Sequence, residues 1–256
     1  MALRDMYNFF VDATARVGDR YYIVGSDYNH IKNVLRMRVG EEFLVSDGGK
    51  SHLCTLEEYQ DESAVAVIAT EDYQSAELSV RIKLFQGLPK GDKLELIIQK
   101  AVELGAYEIV PVEMSRSVVK LDDRKKKSKQ ERWQAIAESA AKQSKRNVIP
   151  AVREAVSYAQ ALEMAKETDV FMVPYENEDG MKATAAALER IKKGCSVGIL
   201  IGPEGGFDDR EIEMAKAAGG EAVSLGKRIL RAETASIAAV AMCMLYAEMN
   251  TESGAE

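Results

Sequence analysis

Along residues 1–74 the apolar positions fall in short runs, 8–12, 20–24, 42–46, 51–58 and 64–70, separated by turn-forming residues. Runs of this length bounded by Gly, Asp and Asn predict β-strands, and Ser46-Asp47-Gly48-Gly49 is a hairpin signal between two of them. One helix interrupts the strands. Ser26 or Asp27 is placed to cap it, Ile31, Val34 and Leu35 share one face, and Gly40 ends the turn that follows. The pattern is that of a small β-barrel with one inserted helix.

Beyond the polar stretch 71–77 the rhythm becomes strand then helix, repeatedly. Unbroken apolar runs at 80–85, 108–112, 170–173, 197–201 and 222–225 alternate with helical periods at 93–104, 130–146, 158–166, 181–192 and 208–218. Short β-branched runs between amphipathic helices predict an α/β domain with a parallel sheet covered on both faces. The boundary falls near 74/75, giving domains 1–74 and 75–256. A last helix, 237–249, is apolar almost all round and is expected to be buried.

Composition narrows the class. The 256 residues are 46% hydrophobic and 29% charged, enough for a substantial core. The weakly polar run 235–247 falls short of the roughly 20 residues that span a bilayer, and residues 1–5 do not lead into an apolar signal core, so a cytoplasmic location is expected. Cys54, Cys195 and Cys243 are far apart and show no CxxC spacing, which argues against disulfides or a cysteine zinc site. His30 and His52 stand away from other metal-ligand types and read as structural or RNA-facing, so no metal is expected.

A net charge of -7 argues against general affinity for nucleic acid, but the charge is unevenly spread. Residues 116–146 hold eleven Lys or Arg against four acids, a local +7 that includes Arg116, Lys120 and Arg146. Because fields are screened over about 8 Å at physiological salt, such a stripe can bind phosphates on an acidic protein. The other reading of Lys125-Lys126-Lys127 is a solvated loop. Within 132–146, Trp133, Ile136, Ala137, Ala140 and Ala141 share a helical face that suits core packing. Lys100 and Glu103, one turn apart, read equally as an ion pair or a functional pair.

Two segments carry candidate chemistry. The run Ser196–Ile201 leads into Gly202-Pro203-Glu204-Gly205-Gly206-Phe207, with Asp208-Asp209 opening a helix. A glycine turn at the carboxyl end of a parallel strand exposes backbone N–H groups and a helix N-terminus to a ligand, although a tight strand-to-helix turn would look the same. Twenty residues on, 223–235 passes from strand through a Gly226-containing loop into an Ala-rich helix; a core helix with a polar cap explains the helix but not the loop.

Together, IGPEGGF (201–207) and SLGKRILRAETA (224–235) resemble the paired signature of the 16S ribosomal RNA uridine-N3 methyltransferase family of the SPOUT class. The resemblance extends through KGDKLELIIQKAVELG (90–105), RSVVK (116–120), RWQAIAESAAKQSKR (132–146) and NVLRMRVGE (33–41), essentially the whole chain. One departure is Asn8, where the family usually has Arg. The resemblance implies a PUA-like RNA-binding β-barrel followed by a SPOUT α/β domain with a C-terminal trefoil knot. It also implies S-adenosyl-L-methionine held by Pro174, by Ile201, Gly202, Pro203, Glu204, Gly205 and Gly206, and by Leu225, Gly226, Ile229 and Leu230.

It implies 16S rRNA in the small ribosomal subunit as substrate, and the basic stripe puts Arg116, Lys120 and Arg146 forward as its phosphate contacts. It further implies a homodimer, to which the Ala/Met-rich helix (Ala238, Ala239, Ala241, Met242, Met244) adds a hint. Methyl transfer to uridine N3 needs alignment and loss of the N3 proton. Arg231 is placed to stabilise charge on uridine O2 or O4 as the catalytic residue, but a guanidinium cannot be the base. Glu204 and Glu233 are candidate bases or, equally, bracing carboxylates. A SPOUT enzyme for another RNA position and a non-catalytic RNA-binding protein are the alternatives.

Overall fold

In the computed structural model, which describes residues 6–73, 75–176 and 180–252, six strands build the first sheet. They are β1 (Asn8–Phe10), β2 (Arg16–Val17), β3 (Arg20–Val24), β4 (Glu42–Asp47), β5 (Lys50–Tyr59) and β6 (Ser63–Thr70). Residues 1–5, read above for a signal core, and Gln74 at the expected boundary lie outside the described residues. The order is β1-β4-β5-β6-β3-β2, with β1 parallel to β4 and the other pairs antiparallel. Gly48 and Gly49 turn the β4–β5 hairpin where the sequence signals it. Register shifts at Leu53/Cys54 and Leu56/Glu58 bend β5 against β6, and the mixed sheet curls into a half-barrel around Phe9, Tyr21, Ile23, Phe43 and Leu56.

The inserted helix differs from expectation. α1 (Gly25–Asn29) starts at Gly25 with no side-chain cap, so Ser26 and Asp27 lie inside its first turn. It continues as a π-helical turn, His30–Val34, that buries Ile31 but leaves Val34 63% exposed. The wider winding rotates Val34 off the face that a 3.6-residue period assigns to it. Chain direction then changes at Arg36, with φ +53°, before Gly40 is reached.

The first unit comprises residues 1–77 and 141–149. The return segment is held by charge and hydrogen bonds. Arg146, 3% exposed, donates from Nε to Glu77 (2.8 Å), whose carboxylate also accepts from Asn147 N (2.8 Å). Lys142 pairs with Asp27 at 3.2 Å. Asn8, 5% exposed, donates to the Arg146 carbonyl (2.9 Å) and accepts from Ser46 Oγ (3.1 Å). At the position where the family usually has Arg, this chain therefore has a buried amide that ties β1 to the return segment.

The second unit, residues 78–140 and 150–256, is built on β7 (Arg81–Gly87), β8 (Glu108–Glu113), β9 (Ala151–Val152), β10 (Val156–Ser157), β11 (Val170–Pro174), β12 (Ser196–Ile201) and β13 (Glu221–Val223). The order is β10-β8-β7-β12-β11-β13 with β9 beside β8, all parallel. β12 is buried at all six positions, as a strand covered on both faces should be. The helices are α2 (Lys93–Glu103), α3 (Asp123–Gln143), α4 (Tyr158–Lys166), α5 (Lys182–Glu189), α6 (Asp209–Ala217) and α7 (Ala232–Glu252). Capping boxes start two of them: Ser157 with Gln160 on α4, Asp208 with Glu211 on α6.

Two expectations are corrected here. α3 begins seven residues before 130, so Lys125-Lys126-Lys127 is helical and not a loop. Asp122 Oδ1 accepts from Lys125 N (2.9 Å) at that end, and lysines propagate a helix without apolar periodicity. α7 is not buried all round: it packs on α2, β7 and β12 through Ala239, Val240, Cys243 and Ala247, while Leu245 and Met249 are exposed. Its stretch Ala232–Asn250 is long and apolar enough to cross a membrane by length and composition, yet a third of it is buried within the protein.

Candidate functional site

Sheet order brings the candidate segments together. β11 lies between β12 and β13, and all three run parallel, so Pro174, the 202–206 turn and the 224–231 loop emerge side by side from neighbouring carboxyl ends. β7, on the other flank of β12, ends at Gly87. A Cβ on Gly87 would stand 2.7 Å from Pro203 N, so the glycine lets the 202–206 turn lie directly on the end of β7.

Beside this turn is a cleft of about 220 Å³. Pro174, Leu225, Gly226, Ile229 and Leu230, all expected from the sequence, line it, together with Tyr175, Glu176, Met181 and Arg228, which were not. Gly226 takes φ +103°, a conformation that a side chain would strain, and the start of its loop is clasped by α5: Thr184 Oγ1 donates to Ser224 O (2.7 Å). Ile229 is 95% exposed, an apolar side chain at the cleft with no protein surface over it. The 201–206 segment borders the cleft and does not line it: the missing Cβ of Gly206 faces the Glu176 carboxylate at 3.1 Å.

Glu204 turns away toward α2. It accepts from Lys90 N (3.1 Å) and Lys93 Nζ (2.9 Å). Desolvation pushes its pKa up, but the Lys93 hydrogen bond, backbone donors and the lysine charge together pull it below the usual carboxylate range. Of the two roles open to Glu204 the brace is the one its surroundings support, because a carboxylate held charged by donors is a weaker proton acceptor. Glu233, on the first turn of α7, has Oε2 buried with no hydrogen-bond partner, 3.8 Å from Lys93 Nζ. Arg231 is exposed at the end of the loop and its carbonyl accepts from Ala235 N (2.8 Å).

The basic stripe is divided. Arg116 and Lys120 are exposed, as are Arg124, Lys125 and Lys127. Arg116 Nη1 donates to Gly205 O (2.8 Å), and Ser115 N donates to Glu211 Oε1 (2.8 Å), which fastens the start of the stripe to the glycine turn and to α6. Arg146 is the exception and corrects its assignment as an RNA contact: buried and engaged with Glu77, its guanidinium cannot meet a phosphate without breaking the first unit's core. Arg132 pairs with Glu95 at 2.8 Å, and Trp133, Ala137 and Ala140 are buried, the packing role expected for that face. Lys100 and Glu103 form an ion pair at 2.8 Å. His52 is buried and His30 exposed, while burial pushes the Cys54 and Cys243 thiols up to about 12.

A glycine turn and a glycine loop end the parallel strands β12 and β13 on either side of β11, the exposed carboxyl-end arrangement in which open α/β sheets bind ligands, and the class of enzyme it belongs to is RNA methyltransferase. The RNA methyltransferase domain model matches residues 76–244 and the RNA methyltransferase PUA domain model matches 24–69; the chain belongs to this family. It is similar to ribosomal RNA small subunit methyltransferase E of Bacillus subtilis (strain 168), with 37% identity over 95% of this chain and 98% of that one. Its fold is similar to the crystal structure of a ribosomal RNA small subunit methyltransferase E from Neisseria gonorrhoeae bound to S-adenosyl methionine (34% identity, TM-score 0.80, 94% and 97% of the two chains). A Legionella pneumophila methyltransferase structure in complex with the same cofactor matches at 28% identity and TM-score 0.79, over 94% and 97% of the chains.

Proposed function

We propose that this chain transfers a methyl group from S-adenosyl-L-methionine to N3 of a uridine in the decoding region of 16S rRNA, in the small ribosomal subunit and in the cytoplasm. The observation that carries the reading is the convergence of Pro174, 201–206 and 225–230 on three adjacent strand ends beside one cleft. The cofactor named for the Neisseria and Legionella structures and the ribosomal substrate in the Bacillus relative's name support it. The residues fit such a cofactor: Pro174, Met181, Leu225 and Leu230 give apolar walls, the Gly226 loop gives unobstructed backbone, and Ile229 is free to fold over a bound ring.

When bound, the cofactor supplies a sulfonium methyl already activated for transfer. Arg231, exposed at the end of the cofactor loop, is the group we assign to uridine O2 or O4, where its guanidinium stabilises charge left by the N3 proton. Arg116 and Lys120 are assigned to phosphates. In the first unit, taken as the PUA-like RNA-binding body, the 35–39 loop supports that role: Arg36 and Arg38 are exposed on it, no acidic residue occurs from 28 to 40, and Arg36 keeps a left-handed φ that costs an L-residue about 1 kcal/mol.

α7 presents Ile237, Ala241, Met242, Leu245 and Met249 on its outer, half-buried to exposed side, an apolar face that supports a homodimer, whereas Ala239, part of the sequence hint, is buried in the protein's own core. A C-terminal trefoil knot is supported by the return of the chain from edge strand β13, clasped under α5 by Thr184, to the sheet centre where α7 packs. An experimental trace with 232–252 outside the 174–196 segment would contradict it.

The direct test is calorimetry with S-adenosylmethionine on the wild type and on Gly226→Val. Binding to the native state alone stabilises by about 2.7 kcal/mol at a hundredfold excess over Kd, seen as a raised melting temperature. Gly226→Val, which puts a β-branched side chain at φ +103° in the cleft lining, should abolish the shift. A wild type that does not bind the cofactor overturns the proposal; a variant that binds normally moves the site.

A further inference from the structure

We propose that Lys93 is a positioning residue that joins the two cofactor loops through their carboxylates. The inference rests on the assignment of 202–206 and 224–231 as cofactor loops. Lys93 opens α2, and its ammonium lies near an acid of each segment: 2.9 Å from Glu204 Oε1 on the first loop and 3.8 Å from Glu233 Oε2 on the first turn of α7, just after the second.

The chemistry of the two ends differs. Glu204 is fully engaged, holding Lys90 N as well as Lys93, so the 202–206 turn is pinned to the front of α2. Glu233 Oε2 is buried and without a hydrogen-bond partner, and a buried carboxylate oxygen left unpaired costs free energy that a nearby cation offsets. An ammonium carries three donors. One serves Glu204, and another can reach Glu233 if the head of α7 shifts by about the difference between ion-pair separation and hydrogen-bond length.

Arg231, two residues before Glu233, is close enough for its charge to oppose that of Lys93, so the groups form one electrostatic cluster: Lys93 and Arg231 against Glu204 and Glu233. Lys93 itself is held protonated by the Glu204 hydrogen bond, against desolvation, with both carboxylate charges in support. It therefore acts as a fixed cation and not as an acid or base. Its position sets the spacing of the two loops and, through Glu233, where Arg231 stands.

The test is a double-mutant cycle read in two quantities, S-adenosylhomocysteine affinity by calorimetry and single-turnover methylation rate with small-subunit RNA. Lys93→Met should weaken cofactor affinity about tenfold, the equivalent of removing one charge-assisted hydrogen bond, and lower the single-turnover rate by at least a similar factor. Lys93→Arg should recover most of both. Glu204→Gln alone should resemble Lys93→Met, and the double variant should be no worse than either single change, because both remove the same link.

Glu233→Gln should lower the single-turnover rate while cofactor affinity falls less, since that end positions Arg231. Equal rates and affinities in wild type and Lys93→Met overturn the inference, as do additive effects in the double variant. A general structural role would instead lower the melting temperature of the free protein without a Glu204-dependent coupling, and it too counts against the proposal. A wild type with no affinity for the cofactor analogue overturns the cofactor-loop assignment itself, which separates the two failures.

Discussion

Arg231 and Arg146 show how differently two arginines of one chain can be used. Arg231 is exposed after the second loop, free to turn toward a substrate, and Arg146 is sealed in the first unit against Glu77. Arg231→Ala should lower the single-turnover methylation rate by roughly a hundredfold or more, the scale set by removal of one oxyanion-stabilising donor, with much smaller effects on cofactor and RNA binding. Arg231→Lys separates charge from the planar fork: partial rescue points to charge, none to two-pronged geometry. A near-normal single-turnover rate in Arg231→Ala would reassign the residue to binding.

Arg146→Ala should instead cost about 3 kcal/mol of stability, because it leaves the Glu77 carboxylate without its cation, measurable as a lower urea midpoint at unchanged m-value. If the variant is as stable as wild type, the Glu77 cluster does not hold the return segment. At this scale the sequence showed residue types but not their surroundings. Charge counting put Arg146 with Arg116 and Lys120, since nothing local marks a basic residue as buried. Lys93 was also passed over, because its partners are 111 residues or more away in sequence.

Elements were read best where one periodicity ran unbroken. The β-branched runs became the parallel strands, and Asp208 opened its helix with a capping box, both local properties of the chain. Failures came where winding or composition departs from the simple periods. The π-turn at His30–Val34 put Val34 in solvent, and the lysine-rich start of α3 has no apolar stripe to betray it.

Arg116→Ala with Lys120→Ala should weaken RNA binding and lower the slope of log K against log salt by about 0.7 to 0.9 for each phosphate no longer neutralised. Arg116 also holds the Gly205 carbonyl, so the double variant should bind the cofactor somewhat less tightly, whereas Lys120→Ala alone should not. An unchanged salt slope in the double variant means that the stripe is only a solvated face.

At the scale of the molecule, the pairing of two distant loops depends on strand order, which no local pattern encodes. The sequence shows glycine segments after two strands; that β11 stands between them, and that Gly87 must yield its side chain to Pro203, appears only in three dimensions. The outer face of α7 makes the same point for assembly. Leu245→Glu, a charge placed on that exposed apolar face, should convert a dimer to monomers in sedimentation while the monomer still melts as a folded protein; a dimer that persists moves the interface elsewhere.

The central claim concerns the bond that is formed, and nucleoside analysis reads that bond directly. Purified protein, labelled S-adenosylmethionine and small ribosomal subunits lacking the modification should yield one labelled nucleoside, N3-methyluridine, from the decoding region, with Gly226→Val inactive and Arg231→Ala slowed. Label recovered in a 2′-O-methyl nucleoside or another base, or no transfer at all by protein that binds the cofactor, would contradict the account.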